Sequence, residues 1–144
     1  MIGKRKIPHK YVYGFTTTKG LLLDLDNTTL KESSAIAEKY MNRFHLKGYL
    51  ILRSSENNYH VVFNHYLTWK KTLEYLFKIV WRYHYHEHGV KPSLTYWAIL
   101  QACKGSETLR ISTKNHKRMP RIVRKHGETD KLCKDYVEYM KELQ

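Results

Sequence analysis

Acidic side chains are the scarce component of this chain of 144 residues: 13 Asp and Glu stand against 26 Lys and Arg, a formal charge of +13 with nine histidines in reserve. Such an excess repels itself in a compact state, and is easiest to understand if a polyanion is usually close by. Cysteine is almost missing. Cys103 and Cys133 are too few and too far apart for a disulfide framework or a zinc site of their own, which leaves reduced, partly buried thiols as the expectation. No apolar run reaches the length of a spanning helix, and the opening "MIGKRKIPHK" lacks the apolar centre of a signal peptide, so a cytoplasmic (intracellular) protein is expected. No basic amphipathic segment or lipidation signal favours a membrane as the polyanion. Repeats, low-complexity tracts and linkers are also lacking, so residues 1–144 are expected to form one domain.

What is present suffices for a core: 42% apolar residues, among them 12 Tyr, 3 Trp and 4 Phe. After a basic arm at 1–10, "KYVYGFTTT" has strand composition and "GLLLDLDN" reads as a short apolar strand ending in acids. "KESSAIAEKYMNRFHLKG" carries Ile36, Tyr40, Met41 and Phe44 at helical spacing, with Gly48 placed to stop the helix. "YLILRSS" and "NYHVVFN" form a hairpin around "ENN", whose asparagines tolerate a left-handed turn. A second helix is expected from Thr68 to His88, with Trp69, Leu73, Leu76, Val80 and Tyr83 inward, ended by Gly89 and Pro92. "SLTYWAIL" and "ETLRIST" read as further strands, 115–127 as basic and irregular. The last helix is capped by Thr129 or Asp130, with Leu132, Tyr136, Met140 and Leu143 inward. The expected fold class is α+β, mainly one antiparallel sheet with helices packed on one face.

Three segments carry candidate chemistry. Alternation along a strand puts Asp24 and Asp26 on one face, a natural seat for Mg2+ or Mn2+ beside a phosphate-bearing substrate. The competing role is that these acids begin a turn and cap the following helix. In "RSSENNYHVVF", the hairpin is expected to bring Ser55 and His60 together at a sheet edge, where His60 as a cation could face a triphosphate. In "ETLRISTKNHKRMPRIVRKHG", Arg110, Ser112 and Lys114 alternate onto one face and could clamp a triphosphate. The cations that follow, Lys117, Arg118, Arg121, Arg124 and Lys125, look like backbone contacts to nucleic acid.

Taken together, these segments resemble the catalytic core of the archaeo-eukaryotic primase superfamily, over roughly residues 10–125. The resemblance rests on an apolar strand ending in acid-x-acid (Leu21-Leu22-Leu23-Asp24-Leu25-Asp26), on a serine followed five residues later by histidine (Ser55-Glu56-Asn57-Asn58-Tyr59-His60), and on Leu109-Arg110-Ile111-Ser112-Thr113-Lys114 with Pro120 after it. Asn58 stands where the family often has glycine, an exchange that suits a left-handed backbone at that position. The resemblance implies an RRM-like core and two-metal nucleotidyl transfer on a single-stranded DNA template. Asp24 and Asp26 would hold Mg2+ or Mn2+, Ser55, His60, Arg110, Ser112 and Lys114 would hold the nucleoside triphosphate, and a helicase or accessory primase subunit would be a possible partner. The family also has a third metal-binding acid. No aspartate lies between Asp26 and Asp130 here, which leaves Glu87 and Glu107 as substitutes.

Other readings stay open at this point. "LLLDLDNTTL" is also similar to the first motif of haloacid-dehalogenase-type phosphatases, with Asp24 as nucleophile and Asp26 as acid/base, in a doubly wound parallel sheet. His84 and His86 are similar to the paired histidines of rolling-circle nicking initiators, with Tyr136 or Tyr139 as nucleophile. A non-catalytic single-strand-binding module would use Tyr49, Tyr59 and Phe63 as stacking platforms.

Overall fold

A computed structural model describes residues 2–7, 10–82, 92–115 and 117–143. The fold is α+β, with strands β1 (Ile2–Ile7), β2 (Lys10–Thr17) and β3 (Leu22–Leu25), then helix α1 (Leu30–Arg43). The hairpin β4 (Gly48–Ser55) and β5 (Asn58–Phe63) follows, then α2 (Trp69–Arg82) and α3 (Pro92–Lys104). The chain closes with β6 (Glu107–Arg110), β7 (Arg121–Gly127) and α4 (Leu132–Glu142). Among the described residues all strand pairs are antiparallel, in two sheets of order β1-β2-β6 and β3-β5-β4-β7.

The four-stranded sheet is covered on both faces, not one. Leu21, Leu23, Leu25, Tyr49, Ile51, Val61 and Phe63 pack against Ile36, Ala37 and Tyr40 of α1, Leu76 and Ile79 of α2, and Leu94 and Ala98 of α3. Their neighbours in the alternation, Leu22, Leu50, Leu52 and Val62, meet Leu132, Cys133, Tyr136 and Met140 of α4 together with Phe15, Leu109 and Ile111. A strand buried on both faces needs no polar alternation, which is why Leu21-Leu22-Leu23 is one unbroken apolar run.

Residues 93–100, expected as a strand, lie in α3. Their aromatic and β-branched content favours a strand locally, but Leu94, Ala98 and Gln101 are all buried and lie on one helical stripe. The helix also opens on Pro92, a residue that suits the first helical turn. The basic arm is β1, whose backbone pairs with β2 from Ile2↔Phe15 to Ile7↔Lys10. The irregular stretch 115–127 ends in β7, an edge strand paired with β4. β7 shows no apolar alternation because most of it is exposed, and its Lys and Arg residues keep that edge from recruiting another strand.

The opposite edge, β3, is closed differently. The N–H of Leu22 donates to Glu107 Oε2 at 2.6 Å, so a carboxyl from the small sheet replaces the missing ladder partner. Helix ends depart from expectation too. α1 is closed by His45 at φ 54 and by Leu46 N–H donating to Met41 O at 2.8 Å, while Gly48 belongs to β4. Gly48 is needed there because a Cβ would lie 2.6 Å from His126 O of β7. At α4, neither Thr129 nor Asp130 is the cap. Buried Asn64, just after β5, accepts from Cys133 N–H at 3.2 Å and donates to Glu128 O at 2.8 Å.

α2 begins as expected: Thr68 Oγ1 accepts from Lys71 N–H at 3.2 Å. Its buried positions are Thr72, Leu76, Ile79 and Val80, a stripe turned slightly from the expected one. The expected continuation to His88, and Tyr83 and Gly89 with it, lies outside the described residues.

Candidate functional site

The register of β3 on β5 sets Asp24 directly opposite His60, and His60 opposite Leu52 of β4. All three share the face that carries Leu22, Leu50 and Val62, so Asp24 and His60 lie toward α4 and β6. Asp24 Oδ1 and His60 Nε2 are 3.6 Å apart, too far for a hydrogen bond. His60 is buried in the second strand of its sheet, so it does not lie at a sheet edge with Ser55.

Protonation is unusual at both groups. The Asp24 carboxyl is raised from 3.8 to about 7, first by burial and then by the nearby charge of Asp26, against the opposing pull of Lys117 and Arg110. His60 is lowered from 6.5 to about 3, by burial and then by the cations Arg110 and Lys117. Between these values the proton resides on the aspartate and the imidazole is neutral. His60 therefore does not supply a positive charge for a triphosphate. The phenol of Tyr136, reaching in from α4, is pushed up by burial and senses both Arg110 and Asp24. At 0% exposure it is also inaccessible as a nicking nucleophile. Tyr139 is packed against Phe15, with ring centroids 5.5 Å apart.

Neither aspartate caps α1. Thr29 Oγ1 accepts from Glu32 N–H at 3.1 Å, and Thr28 Oγ1 donates to Glu32 Oε2 at 2.9 Å. Asp26 is exposed just beyond the end of β3. With the helix start supplied by threonines, two adjoining carboxylates at a strand end have no part in the capping.

Several residues assigned to the triphosphate have local tasks. Arg110 Nη2 donates to Ser54 O at 2.5 Å, and Nη1 donates to Arg118 O at 2.9 Å and to Ser112 O. Arg110 thus fastens the end of β4 to the 111–118 segment, and its charge reaches the site through its field. Ser112 Oγ accepts from Tyr13 N–H at 2.8 Å and donates to Thr113 O at 3.0 Å. Ser55 Oγ accepts from Asn58 Nδ2 at 2.6 Å, and Asn58 Oδ1 accepts from Asn27 N–H at 3.0 Å, which ties the hairpin turn to the loop after the acidic pair. The left-handed residue of that turn is Asn57 at φ 57, not Asn58. Lys114 and Lys117 exchange backbone hydrogen bonds of 3.1 and 2.8 Å around Asn115 at φ 52. That turn carries Lys117 toward Asp24.

Beside the cluster lies a cleft of about 360 Å3 lined by Arg53, Ser54, Ser55, Glu56, Lys117, Arg118, Met119 and Arg121. Arg53 and Arg121 are cross-strand partners, and like charges in that relation repel. With Lys117 and Arg118 they make four cations against the single acid Glu56. Arg124 and Lys125 leave this arrangement. They are opposite Ile51 and Leu50, which face different sides of the sheet, so the five cations do not form one strip.

Among the described residues, no group of three or more His, Cys, Asp or Glu is arranged to hold a metal ion. Glu107 is fully buried on Leu22 N–H, and burial raises its carboxyl well above the ordinary range. Glu87 and the pair His84 and His86 lie outside the described residues. The antiparallel sheets exclude the parallel doubly wound architecture of the phosphatase reading. The stacking platforms named from the sequence are core residues: Tyr49 is 0%, Tyr59 8% and Phe63 0% exposed. Among the described residues, no helix is long and apolar enough to cross a membrane.

Sequence reasoning did not find Arg53, whose only mark was its place before the Ser pair, nor Tyr136 as a neighbour of Asp24. Comparison with known protein families, curated proteins and solved structures gives no significant match to this chain.

Proposed function

We propose that the chain binds a nucleotide polyphosphate or the backbone of a single-stranded nucleic acid in the cationic cleft, and that Asp24 and Asp26 make it a primase-like, metal-dependent nucleotidyltransferase. One observation carries the reading. Arg110 and Lys117, from segments far away in sequence, act electrostatically on both Asp24 and His60, which face each other across β3 and β5, beside a cleft rich in positive charge.

The acid pair fits a hard divalent cation. Asp24 is held partly protonated by burial and by Asp26, a repulsion that a divalent cation held by these acids would relieve. Mg2+ is commonly held by one or two carboxylates, with phosphate oxygens and water completing its shell, so two acids suffice for such a seat. When bound, Mg2+ or Mn2+ would neutralise charge on a transferring phosphoryl group. The chain's own residues divide the remaining work. Arg53, Lys117, Arg118 and Arg121 take phosphate oxygens, and Arg110 holds the 111–118 segment against β4. Neutral His60 walls the buried side of Asp24. A DNA template, nucleoside triphosphates and a helicase or accessory primase subunit are the partners this reading entails.

The engagement of both terminal nitrogens of Arg110, of Ser55 and of Ser112 within the fold favours a second reading, a non-catalytic single-strand-binding module. Primer synthesis and extension on single-stranded DNA, with Mg2+ or Mn2+ and labelled nucleoside or deoxynucleoside triphosphates, separates the two. Product from the native chain and none from Asp24→Asn/Asp26→Asn is expected. No product from either protein, with salt-sensitive DNA binding retained by both, would overturn the enzymatic reading and leave the binding module.

A further inference from the structure

The aromatic platforms expected on the sheet are buried, yet the molecule does display exposed aromatic rings elsewhere. Phe77 and Trp81, one helical turn apart on the outer face of α2, are 39% and 58% exposed. They border a groove of about 1000 Å3 between the end of α1 and the outer face of α2. Its floor is a ring pair, Phe44 and Tyr75, stacked at 4.0 Å and 9°. Its rim carries Arg43, Lys71, Lys78 and Arg82 with one acid, Glu74. Glu74 is shared between Lys71 at 3.1 Å and Lys78 at 3.0 Å, so one carboxylate faces two ammonium groups.

Large rings that remain 39% and 58% exposed at helical spacing carry a cost in apolar area left in water. Cations alternating with exposed rings have a specific chemical complement: a chain of phosphates bearing flat bases that are free to stack. A duplex offers the phosphates but keeps its bases stacked inside. A protein partner would match the rings, but an excess of cations around them selects against all but acidic ones.

We propose that this groove is a stacking platform for single-stranded nucleic acid. Bases lie on Trp81 and Phe77, and phosphates are taken by Arg43, Lys71 and Lys78. α1 and α2 cover the face of the sheet opposite the one that carries Asp24 and His60, so the platform is separate from the cationic cleft. The proposal does not depend on chemistry at Asp24.

The test is fluorescence anisotropy with labelled oligo(dT), oligo(U) and a duplex of equal length, in EDTA and without nucleotides. A failed synthesis assay therefore leaves this result untouched, and the reverse holds too. Base stacking on an aromatic residue contributes enough that losing one platform ring weakens single-strand binding by about ten-fold. Trp81→Leu, which keeps the apolar bulk but removes the aromatic face, should show that loss, as should Phe77→Leu. Trp81→Phe should stay within about three-fold of the native chain, since it retains a ring on which to stack. Duplex binding should be nearly unchanged in all three. Both positions are solvent-exposed, and matching thermal unfolding curves will confirm that the variants are folded. The proposal is overturned if Trp81→Leu binds oligonucleotides like the native chain, or if duplex affinity falls in parallel. It is likewise overturned if the Trp81-dependent ligand proves to be phosphatidylserine vesicles and not an oligonucleotide.

Discussion

Asp24→Asn should stabilise this protein above neutral pH while removing a residue on which the proposed activity depends. An acid whose folded value lies near 7 and whose ordinary value is 3.8 binds its proton more tightly in the native state. Well below pH 3.8 both states are protonated and Asp24 has no effect on stability. As pH rises from 4 to 7, the unfolded chain releases the proton first, and stability falls through that window. Above 7 the whole penalty is present. The interval from 3.8 to about 7, at 1.36 kcal/mol per pH step, sets a ceiling of about 4 kcal/mol. The carboxylate retains 27% exposure, so the realised figure should be roughly half of that ceiling. Asparagine is nearly isosteric and carries no charge, so it escapes the penalty. Urea unfolding of the native chain and of Asp24→Asn at pH 4 and at pH 8 should show a small difference in midpoint at the lower pH and a clearly higher midpoint for the variant at pH 8. A variant less stable than the native chain at pH 8, or a difference that does not change with pH, would refute the electrostatic argument.

Three further outcomes follow from the same structure. His60, lowered to about 3, binds fewer protons folded than unfolded, so it costs stability as pH falls from 6.5 toward 3; His60→Gln should flatten that limb of a urea-midpoint-against-pH curve. Glu107→Gln keeps an acceptor for Leu22 N–H and should change the thermal midpoint little, whereas Glu107→Ala orphans that donor and opens a void, for a loss of about 2–4 kcal/mol by denaturant titration. Arg110→Lys cannot reach the carbonyls of Ser54, Ser112 and Arg118 together; a loss of about 2 kcal/mol is expected, with faster amide exchange across 111–118.

Local pattern carried much of the fold. Ile36, Tyr40 and Met41 of α1 and Phe44 at its C-cap are buried as their spacing required, and the β4–β5 hairpin forms around an asparagine turn. The pattern misled where burial on one side was weak. In residues 93–100 the aromatic and β-branched content outweighed a helical stripe of only Leu94, Ala98 and Gln101. In β7 partial exposure left no alternation to read, and the strand exists because β4 offers it an edge.

The candidate site divides along the same line. Composition and short-range pattern were enough for the α+β class, the apolar strand bearing Asp24 and the excess of positive charge. Which of those charges face one another was settled by strand pairing and packing. Antiparallel pairing put His60 opposite Asp24 and buried it neutral, Arg110 became a backbone clamp, and Arg53 joined Lys117, Arg118 and Arg121 around one cleft. Burial and the charges that other strands bring within reach set a side chain's protonation and its free hydrogen-bonding capacity. Those are properties of neighbours in space, and no stretch of sequence contains them.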